Sequence, residues 1–384
     1  MDILVQYYSR RNAGDDLFID LLARHFTDCR LSLIASPRYR PLGLPEHVRL
    51  HPISYSRAAW RIVQRVAGLD SPLSRRIGRR NAFRLQSLAD SSEAYVNIGG
   101  SIFMESGEEE RPFRGDGAPC FDYVSTRRPG GRRFLIGANL GPAFTDEYGR
   151  RMCYEVGKYT HACLRDWASY TLVRKLGHAQ YAPDVIFLAQ QPAPTETDGR
   201  AVISVVDIRR HTADEAVAAA YERLLADTVR ALRKRNVPVT LCSFCRAQGD
   251  ERAIHRILAL LEDKSGVSTH FYRGDLPALL QLFSNAGFVV ASRFHAMILG
   301  MSFGKPVFPI AYDCKTRHYL DDLAFAGASA DLCDLPRLTA DDVLSNYDRH
   351  ILADCAAHKA HAANQFRALR DFVDAHHAKE TTHA

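Results

Sequence analysis

The sequence predicts an α/β protein made of two Rossmann-like domains that face a central cleft. At 384 residues the chain is about twice the length of a usual single domain. Short apolar runs alternate with segments whose apolar residues recur at helical spacing, which is typical of parallel sheets wrapped by helices. A polar, proline-containing stretch over residues 190–199 predicts the linker between the halves. Two such halves around a cleft make a GT-B-like architecture.

The first predicted domain covers residues 1–189 and opens on a strand that begins at Asp2. A turn follows this strand, and its polar residues are typical of a helix start. Within the turn, Gly14 stands next to Asp15 and Asp16 at the carboxyl edge of the strand. This group could be a substrate loop, or it could simply cap the helix.

A second glycine-containing turn is predicted later in the first domain. Residues 94–98 have the composition of a strand, and they run directly into Gly99 and Gly100. Adjacent glycines let backbone amides come close to an anion or a sugar, although a tight turn would need the same residues. Ser101 follows them in the chain.

Two further segments of the first domain are predicted to lie outside the sheet. Residues 105–133 are polar and glycine-rich, and they predict a long mobile loop beside the cleft. The stretch from Arg57 to Arg84 predicts a basic helical segment, in which Arg57, Arg61 and Arg65 share one face. That face could rest on anionic lipid headgroups or on the diphosphate of a lipid-linked sugar, or it could be a solvated helix face.

The second predicted domain covers residues 200–350, and residues 353–378 predict a long C-terminal helix that could cross back to the first domain. No Gly-x-Gly-x-x-Gly follows a strand and no P-loop motif occurs, so neither a dinucleotide nor a P-loop nucleotide is indicated. The predicted strands cover 201–206, 237–242, 269–272, 288–290 and 307–310, and the predicted helices cover 213–232, 251–262, 276–284 and 294–303.

Composition limits the classes of partner and compartment. The formal net charge is a mild +6 and comes mostly from arginine, which suits an anionic substrate but could equally reflect GC-rich codons. No nucleic acid is expected as a partner. The N-terminus lacks a signal-peptide pattern and no apolar run approaches the ~18 residues of a membrane span, so a cytoplasmic protein is expected. The nine cysteines are scattered, and neither a metal nor a cofactor is predicted.

Arg293 and His295 are the strongest candidates for a functional site. They follow a short apolar strand and stand where the next helix begins. In open parallel sheets, ligands bind at this carboxyl rim. A guanidinium and an imidazole two residues apart can hold an anion and move a proton beside it, although a hydrogen-bonded histidine at a helix start is the ordinary alternative.

The same stretch resembles the C-terminal signature of the polysaccharide pyruvyl transferase family. In residues 292–313, SRFHAMILGMSFGKPVFPIAYD, Ser292 opens the Ser-Arg-x-His motif of that family. Two further matches occur in the family's order, at residues 12–16 and at residues 164–184. Together the three matches span nearly the whole chain.

The resemblance implies transfer of pyruvate from phosphoenolpyruvate to two hydroxyls of a sugar in a surface or exopolysaccharide precursor, with formation of a ketal. The first domain would be the acceptor side and the second the donor side. His295 would be the acid that protonates the enol carbon, and we expect a bound phosphate to raise its pKa. Asp15 or Asp16 could act as base. The implied substrate-binding residues are Arg293, Arg209, Ser292, Gly99, Gly100 and Lys315, with Arg210 as the alternative to Arg209.

The partners that this resemblance implies are phosphoenolpyruvate as donor substrate and a saccharide acceptor, which could be lipid-linked. Peripheral contact with the inner membrane surface would then be expected. Two other readings stay open: a GT-B glycosyltransferase that uses a nucleotide sugar, and a noncatalytic relative that binds an anionic glycan.

Overall fold

The computed structural model describes residues 1–35, 39, 43–52, 87–105, 132–143, 145–195 and 199–383. The predicted basic segment from Arg57 to Arg84 lies outside the described residues, and so does most of the predicted loop at 105–133. The described part of the chain forms two α/β domains, each built on a parallel sheet, as predicted.

The sheet of the first domain has the strand order β3-β2-β1-β4-β5-β6-β7, and all neighbouring strands are parallel. β4 is buried along its whole length, as expected of a strand with helices on both faces. Strands β2, β3 and β7 were not predicted from the sequence. The strands are β1 (Asp2–Gln6), β2 (Arg30–Ala35), β3 (Val48–Pro52), β4 (Ala94–Ile98), β5 (Arg132–Ala138), β6 (His161–Leu164) and β7 (Ala179–Tyr181).

The sheet of the second domain has the order β10-β9-β8-β11-β12-β13 and is also parallel. Its central strands are fully buried runs of apolar residues, which is why the sequence shows no alternation there. The strands are β8 (Ala201–Val205), β9 (Val239–Ser243), β10 (Val267–Phe271), β11 (Phe288–Ala291), β12 (Val307–Ala311) and β13 (Ala330–Asp331).

Helices connect these strands on both faces of the sheets. The predicted helices of the second domain are present, and their ends differ from prediction by at most three residues. The described α-helices are α1 (Ala13–His25), α2 (Asp146–Val156), α3 (Trp167–Val173), α4 (Glu215–Lys234), α5 (Asp250–Ala259), α6 (Leu276–Asn285), α7 (Phe294–Ser302), α8 (Cys314–Asp322), α9 (Ala340–Asp348), α10 (Ala356–His361) and α11 (Asn364–His383).

The prediction of a single long C-terminal helix is wrong in one respect. The chain forms two helices, α10 and α11, which are separated by residues 362–363. α11 packs on β5 and β6 of the first domain. Gln365 fixes its start, since the side-chain amide donates to the carbonyl of Ala182 at 2.6 Å and accepts from the amide of Gly137 at 2.9 Å.

The two domains share one continuous apolar core. The largest cluster of buried residues contains Phe18 and Leu22 of α1 together with Met297 and Leu299 of α7. The described part of the linker is also attached to the second domain, where Ser284 donates to the carbonyl of Pro192 at 2.5 Å. Burial of this size fixes the orientation of the domains at the cleft.

Strand order identifies where the cleft residues must lie. The connections reverse direction between β1 and β4 in the first sheet and between β8 and β11 in the second. In open α/β sheets the carboxyl ends at such a reversal form the ligand crevice. The segments that leave these four strands carry the site described next.

Candidate functional site

His295 lies where the two domains meet. It is the second residue of α7, and its ring packs against the backbone of Gly14 in α1 so closely that a Cβ at Gly14 would overlap the ring. Phe18 of α1 also contacts the ring edge-on, with centroids 5.3 Å apart. The imidazole, which is partly exposed, therefore faces both domains.

The surroundings of His295, with Arg165 among them, determine its protonation state. Nη1 of Arg165 lies 3.3 Å from Nε2 of His295, and a guanidinium can only donate, so this nitrogen accepts. Burial lowers the pKa of His295 well below its usual value, and the positive charges of Arg165, Lys315 and Arg293 lower it further. The surrounding groups of the protein thus favour the neutral ring, which is opposite in direction to the effect expected of a bound phosphate.

Arg165 is a buried cation that belongs to the first domain and touches the second. Its guanidinium donates to Asp184 at 3.0 Å and to Asn139 at 2.6 Å, and it lies 4.3 Å from the ring centroid of Phe294. A Cβ at Gly100 would overlap this guanidinium. Gly100 is therefore required for the packing of Arg165.

Arg293 lies two residues after the end of β11, at the N-cap of α7, and Asp250 holds its guanidinium. Its Nε donates to Asp250 at 3.1 Å, Nη2 donates to the other carboxylate oxygen, and Nη1 donates to Gln248. Asp250 is fully buried and also accepts the backbone amides of Phe244 and Cys245 at 3.0 and 2.8 Å. Since a guanidinium has five N–H donors and three are used here, two are left for an anion.

Asp15 and Asp16, which are neighbours at the start of α1, have different surroundings. Burial and the charge of Asp16 raise the pKa of Asp15 to about 7, against the opposing effects of Arg165, Lys315 and Arg293. A Cβ at Gly99 would lie 3.6 Å from Oδ1 of Asp15, which places this carboxyl beside the end of β4. Asp15 can therefore exchange a proton near neutral pH.

Asp16 is occupied by hydrogen bonds. The hydroxyl of Tyr39 donates to one carboxylate oxygen and that of Tyr272 to the other, both at 2.8 Å. Tyr272 belongs to the second domain, so Asp16 connects the two halves. Burial raises its pKa to about 6 although both tyrosine hydrogen bonds lower it. These contacts suit a residue that holds the domains together better than a base.

Lys315 reaches across the cleft from the second domain. Its Nζ lies 2.7 Å from Asp313 and donates to the hydroxyl of Ser101 at 3.3 Å. The sequence offered only its place after β12. The structure brings it near Asp15 and His295, so its positive charge lowers the pKa of both.

The structure does not bring Arg209 or the hydroxyl of Ser292 to this cluster. Arg209 is turned toward α4, where Glu215 and Glu222 pair with its guanidinium. Its charge is satisfied by the protein, which argues against a substrate role and leaves Arg210 as the candidate. Ser292 is buried, and its hydroxyl accepts from Tyr221 at 2.8 Å.

Sequence reasoning missed His211, which directly follows Arg209 and Arg210. Its ring lies 4.2 Å from that of Tyr312, centroid to centroid. Burial and the charges of Arg293 and Lys315 lower the pKa of His211 to about 4. The neighbouring arginine pair was the available signal. Asp250 gave none, because it lies 43 residues from Arg293 and no local motif links them.

Taken together, three cations from both domains surround one neutral imidazole and one carboxyl that titrates near neutrality. Such a cluster can bind a compact polyanion and transfer protons beside it. Among the described residues, no group of three or more His, Cys, Asp or Glu side chains is arranged to hold a metal ion. None of the helices in the described ranges has the length and apolar character needed to cross a bilayer.

Comparison with known proteins gives a family and a fold. The family model for polysaccharide pyruvyl transferases matches residues 12–313, which is most of the chain. No curated protein is similar enough in sequence to match.

Solved structures share the architecture over nearly the whole chain. HepE of Anabaena, crystallised with UDP and glucose, is 12% identical with a TM-score of 0.57, and the match covers 98% of this chain and 100% of HepE. UDP-GlcNAc 2-epimerase of Methanocaldococcus jannaschii, crystallised with UDP-GlcNAc and UDP, is 7% identical with a TM-score of 0.58, covering 97% and 99%. The enzyme of that name from Neisseria meningitidis, bound to UDP-GlcNAc, is 10% identical with a TM-score of 0.56, covering 97% and 99%. These similarities show the fold alone, and the predicted GT-B-like class is confirmed.

Proposed function

Because this chain belongs to the polysaccharide pyruvyl transferase family, we propose that it moves pyruvate from phosphoenolpyruvate to two hydroxyls of one sugar and forms a cyclic ketal. The acceptor is a sugar of a surface or exopolysaccharide precursor. The observation that carries the proposal is the grouping of Arg165, Arg293 and Lys315 around His295 and Asp15.

The donor carries a phosphate and a carboxylate on a three-carbon frame, so it needs several fixed cations at short range. Arg293 has two N–H groups left after Asp250 and Gln248 have taken the other three. Lys315 adds a second positive charge from the same domain. A planar fork next to a point charge suits two different anionic groups on one small molecule.

The reaction requires one proton to reach the methylene carbon and two protons to leave the sugar. Protonation of that carbon makes the neighbouring carbon electrophilic, and the first hydroxyl attacks it. Cleavage of the bond to phosphate then releases hydrogen phosphate, which carries away one proton. The second hydroxyl attacks the same carbon and closes the ring, so atoms and charges balance.

His295 is the proposed acid. Burial and the three cations keep its ring neutral in the protein alone. The three negative charges of the donor would offset the cations. Donor binding therefore raises the pKa of His295, so the ring takes up the proton that it later delivers. Coupling protonation to donor binding would keep the acid inactive until the substrate is in place.

Asp15 is the proposed base for the acceptor hydroxyls. It lies beside the end of β4 in the first domain, and a carboxyl with a pKa of about 7 can accept a proton and return it at neutral pH. Asp16 is not proposed for this role, because both its oxygens accept from tyrosines.

The test is a reaction of the purified full-length protein with phosphoenolpyruvate and a panel of saccharides, free and linked to a lipid diphosphate, that differ in the spacing of their hydroxyls. We expect phosphate release that depends on the acceptor, together with a glycan whose mass rises by one pyruvate less one water. Release of a nucleoside diphosphate from a sugar donor, without any use of phosphoenolpyruvate, would instead identify a glycosyltransferase. Glycan binding without turnover of either donor would identify a noncatalytic relative.

A further inference from the structure

The surface formed by α2, α3 and the turn after α3 exposes apolar side chains. Seven large apolar residues are exposed among those that the structure describes, and four of them lie between residues 154 and 176. Tyr154 is 68% exposed, Leu172 57% and Leu176 37%. Trp167, the fourth, is 51% exposed at the start of α3. Exposed apolar residues that cluster in this way mark interaction surfaces.

The first three of these residues lie on one continuous surface. α2 packs against α3, and Sγ of Cys153, next to Tyr154, lies 3.9 Å from the carbonyl of Leu172. Cδ2 of Leu176 would lie 4.0 Å from a Cβ at Gly157, which directly follows α2. We call this surface the α2–α3 face, defined by Tyr154, Leu172 and Leu176 with the cations Arg150, Arg174 and Lys175.

The charges on the α2–α3 face have one sign. Arg150, Arg174 and Lys175 are exposed, and no ion pair joins them to a carboxylate in the described part of the chain. The two acids between residues 150 and 175 are buried and occupied: Glu155 pairs with Lys158 at 2.7 Å, and Asp166 accepts the amide of Ser169 at 2.7 Å. Asp146 and Glu147, which lie one turn before Arg150 in α2, are exposed.

Trp167 marks the border of this face. Its backbone amide donates to Asp322 of α8 at 2.8 Å, and Asp321 is the neighbouring residue. These two acids give the Trp167 end a different charge, so Trp167 is left out of the face. At the other end, Asp146 and Glu147 occupy the first turn of α2.

We propose that the α2–α3 face binds the surface of a membrane that contains anionic lipids. Unpaired cations among exposed apolar side chains match a layer of negative headgroups above an apolar interior. α3 begins two residues after Arg165, whose guanidinium contacts His295, so a short stretch of chain joins the face to the cleft. Membrane binding would hold the cleft near headgroup-linked molecules, and it does not depend on the proposed reaction.

The test is cosedimentation of the full-length protein with vesicles of phosphatidylcholine, with and without phosphatidylglycerol. We expect binding only to the anionic vesicles, and weaker binding when salt rises from about 0.1 M to about 1 M, because the screening length falls from ~10 to ~3 Å. Arg174→Ser with Lys175→Ser should weaken partitioning about 25-fold, at about fivefold per cation. Leu172→Ser with Leu176→Ser should weaken it at least tenfold.

Matched variants at other exposed positions distinguish binding through this face from nonspecific binding. Lys264→Ser with Arg349→Ser removes the same charges from other exposed sites, and Leu260→Ser with Leu352→Ser removes two other exposed leucines. Both pairs should bind like wild type, and circular dichroism should show that all variants are folded. Equal binding to neutral vesicles, or unchanged binding of the Arg174 and Lys175 variant, would overturn the proposal. So would a dimer in gel filtration that only Leu172→Ser with Leu176→Ser disrupts, since the face would then join two copies of the chain.

Discussion

The imidazole of His295 rests on the backbone of Gly14, so that the first turn of a helix in one domain forms the floor under the first turn of a helix in the other. The contact has no room for any side chain at residue 14. It also positions Asp15, the next residue, at the same cleft. The identity of one glycine thus sets the spacing between the two proton-transfer candidates.

We expect Gly14→Ala to displace His295 and to lower turnover about a hundredfold, since misplacing a reacting group by about 1 Å can cost that much. Overpacking should lower the free energy of unfolding by about 1–3 kcal/mol. The measurements are initial rates and urea denaturation. Gly149→Ala in α2 is the control, because nothing lies within 4 Å of its Cβ position. Equal activity of the two variants would mean that the contact with His295 does not matter.

His295→Ala should abolish ketal formation while leaving the fold and donor binding largely intact. The ring supplies the proton to the methylene carbon in the proposed reaction, and its removal leaves Arg293 and Lys315 to bind the donor. Glycan mass spectrometry measures the product, and calorimetry measures the dissociation constant of phosphoenolpyruvate. Full activity of this variant would remove the acid role.

Asp250→Asn should weaken donor binding through Arg293. The amide keeps the size of the carboxylate but accepts from the guanidinium with only one oxygen, so we expect a 10- to 100-fold higher dissociation constant for phosphoenolpyruvate. Breaking a buried ion pair should also cost about 3–5 kcal/mol in the free energy of unfolding.

A double-mutant cycle separates this effect from simple destabilisation. Arg293→Lys keeps the charge next to Asp250 but loses the fork, so donor binding should fall while the fold stays. If Asp250 acts through Arg293, adding Asp250→Asn to Arg293→Lys should change the donor dissociation constant little. Fully additive losses would show that Asp250 acts by another route.

Asp15→Asn should stabilise the protein more at pH 8 than at pH 5. The folded protein raises the pKa of Asp15 to about 7, while an unfolded chain releases this proton near pH 4. Between these values the unfolded state binds fewer protons, so stability falls as pH rises through that window, and the amide removes this cost. Thermal unfolding of both proteins across pH 4 to 8 measures the difference. A difference that stays constant with pH would mean that Asp15 is not protonated in the folded protein.

Arg210→Ala should weaken donor binding, whereas Arg209→Ala should leave it unchanged. Arg210 is exposed near His211 in the cleft, so its loss should raise the donor dissociation constant about tenfold with little effect on stability. Arg209 pairs with Glu215 and Glu222, and its side chain is 32% exposed, so its loss should cost about 1 kcal/mol or less of stability and leave donor binding unchanged. The reverse pattern would restore Arg209 as the donor-binding residue.

The fold was predicted from local patterns in the sequence, and these patterns predicted most of the architecture. The buried strand before Arg293 and the helix after it appear where the apolar spacing placed them, because period and turn chemistry act within a few residues. The break between α10 and α11 was missed, because the apolar face was expected to be interrupted within one helix, and buried residues at helical spacing lie on both sides of the break. The edge strand β3 is only partly buried, so its apolar pattern is weak.

The sequence by itself determined that two α/β domains form and that Arg293 and His295 stand at a strand end in the second. Only the tertiary structure decided that His295 contacts Gly14 and Arg165, that Asp250 holds Arg293, and that Arg209 turns away to α4. Local periodicity depends on near neighbours and can be read along the chain. The contact of His295 with Arg165, 130 positions away, depends on how the two domains pack, which no local pattern encodes. The pairing of Asp250 with Arg293 and the turn of Arg209 toward α4 depend on how the helices of the second domain pack on its sheet.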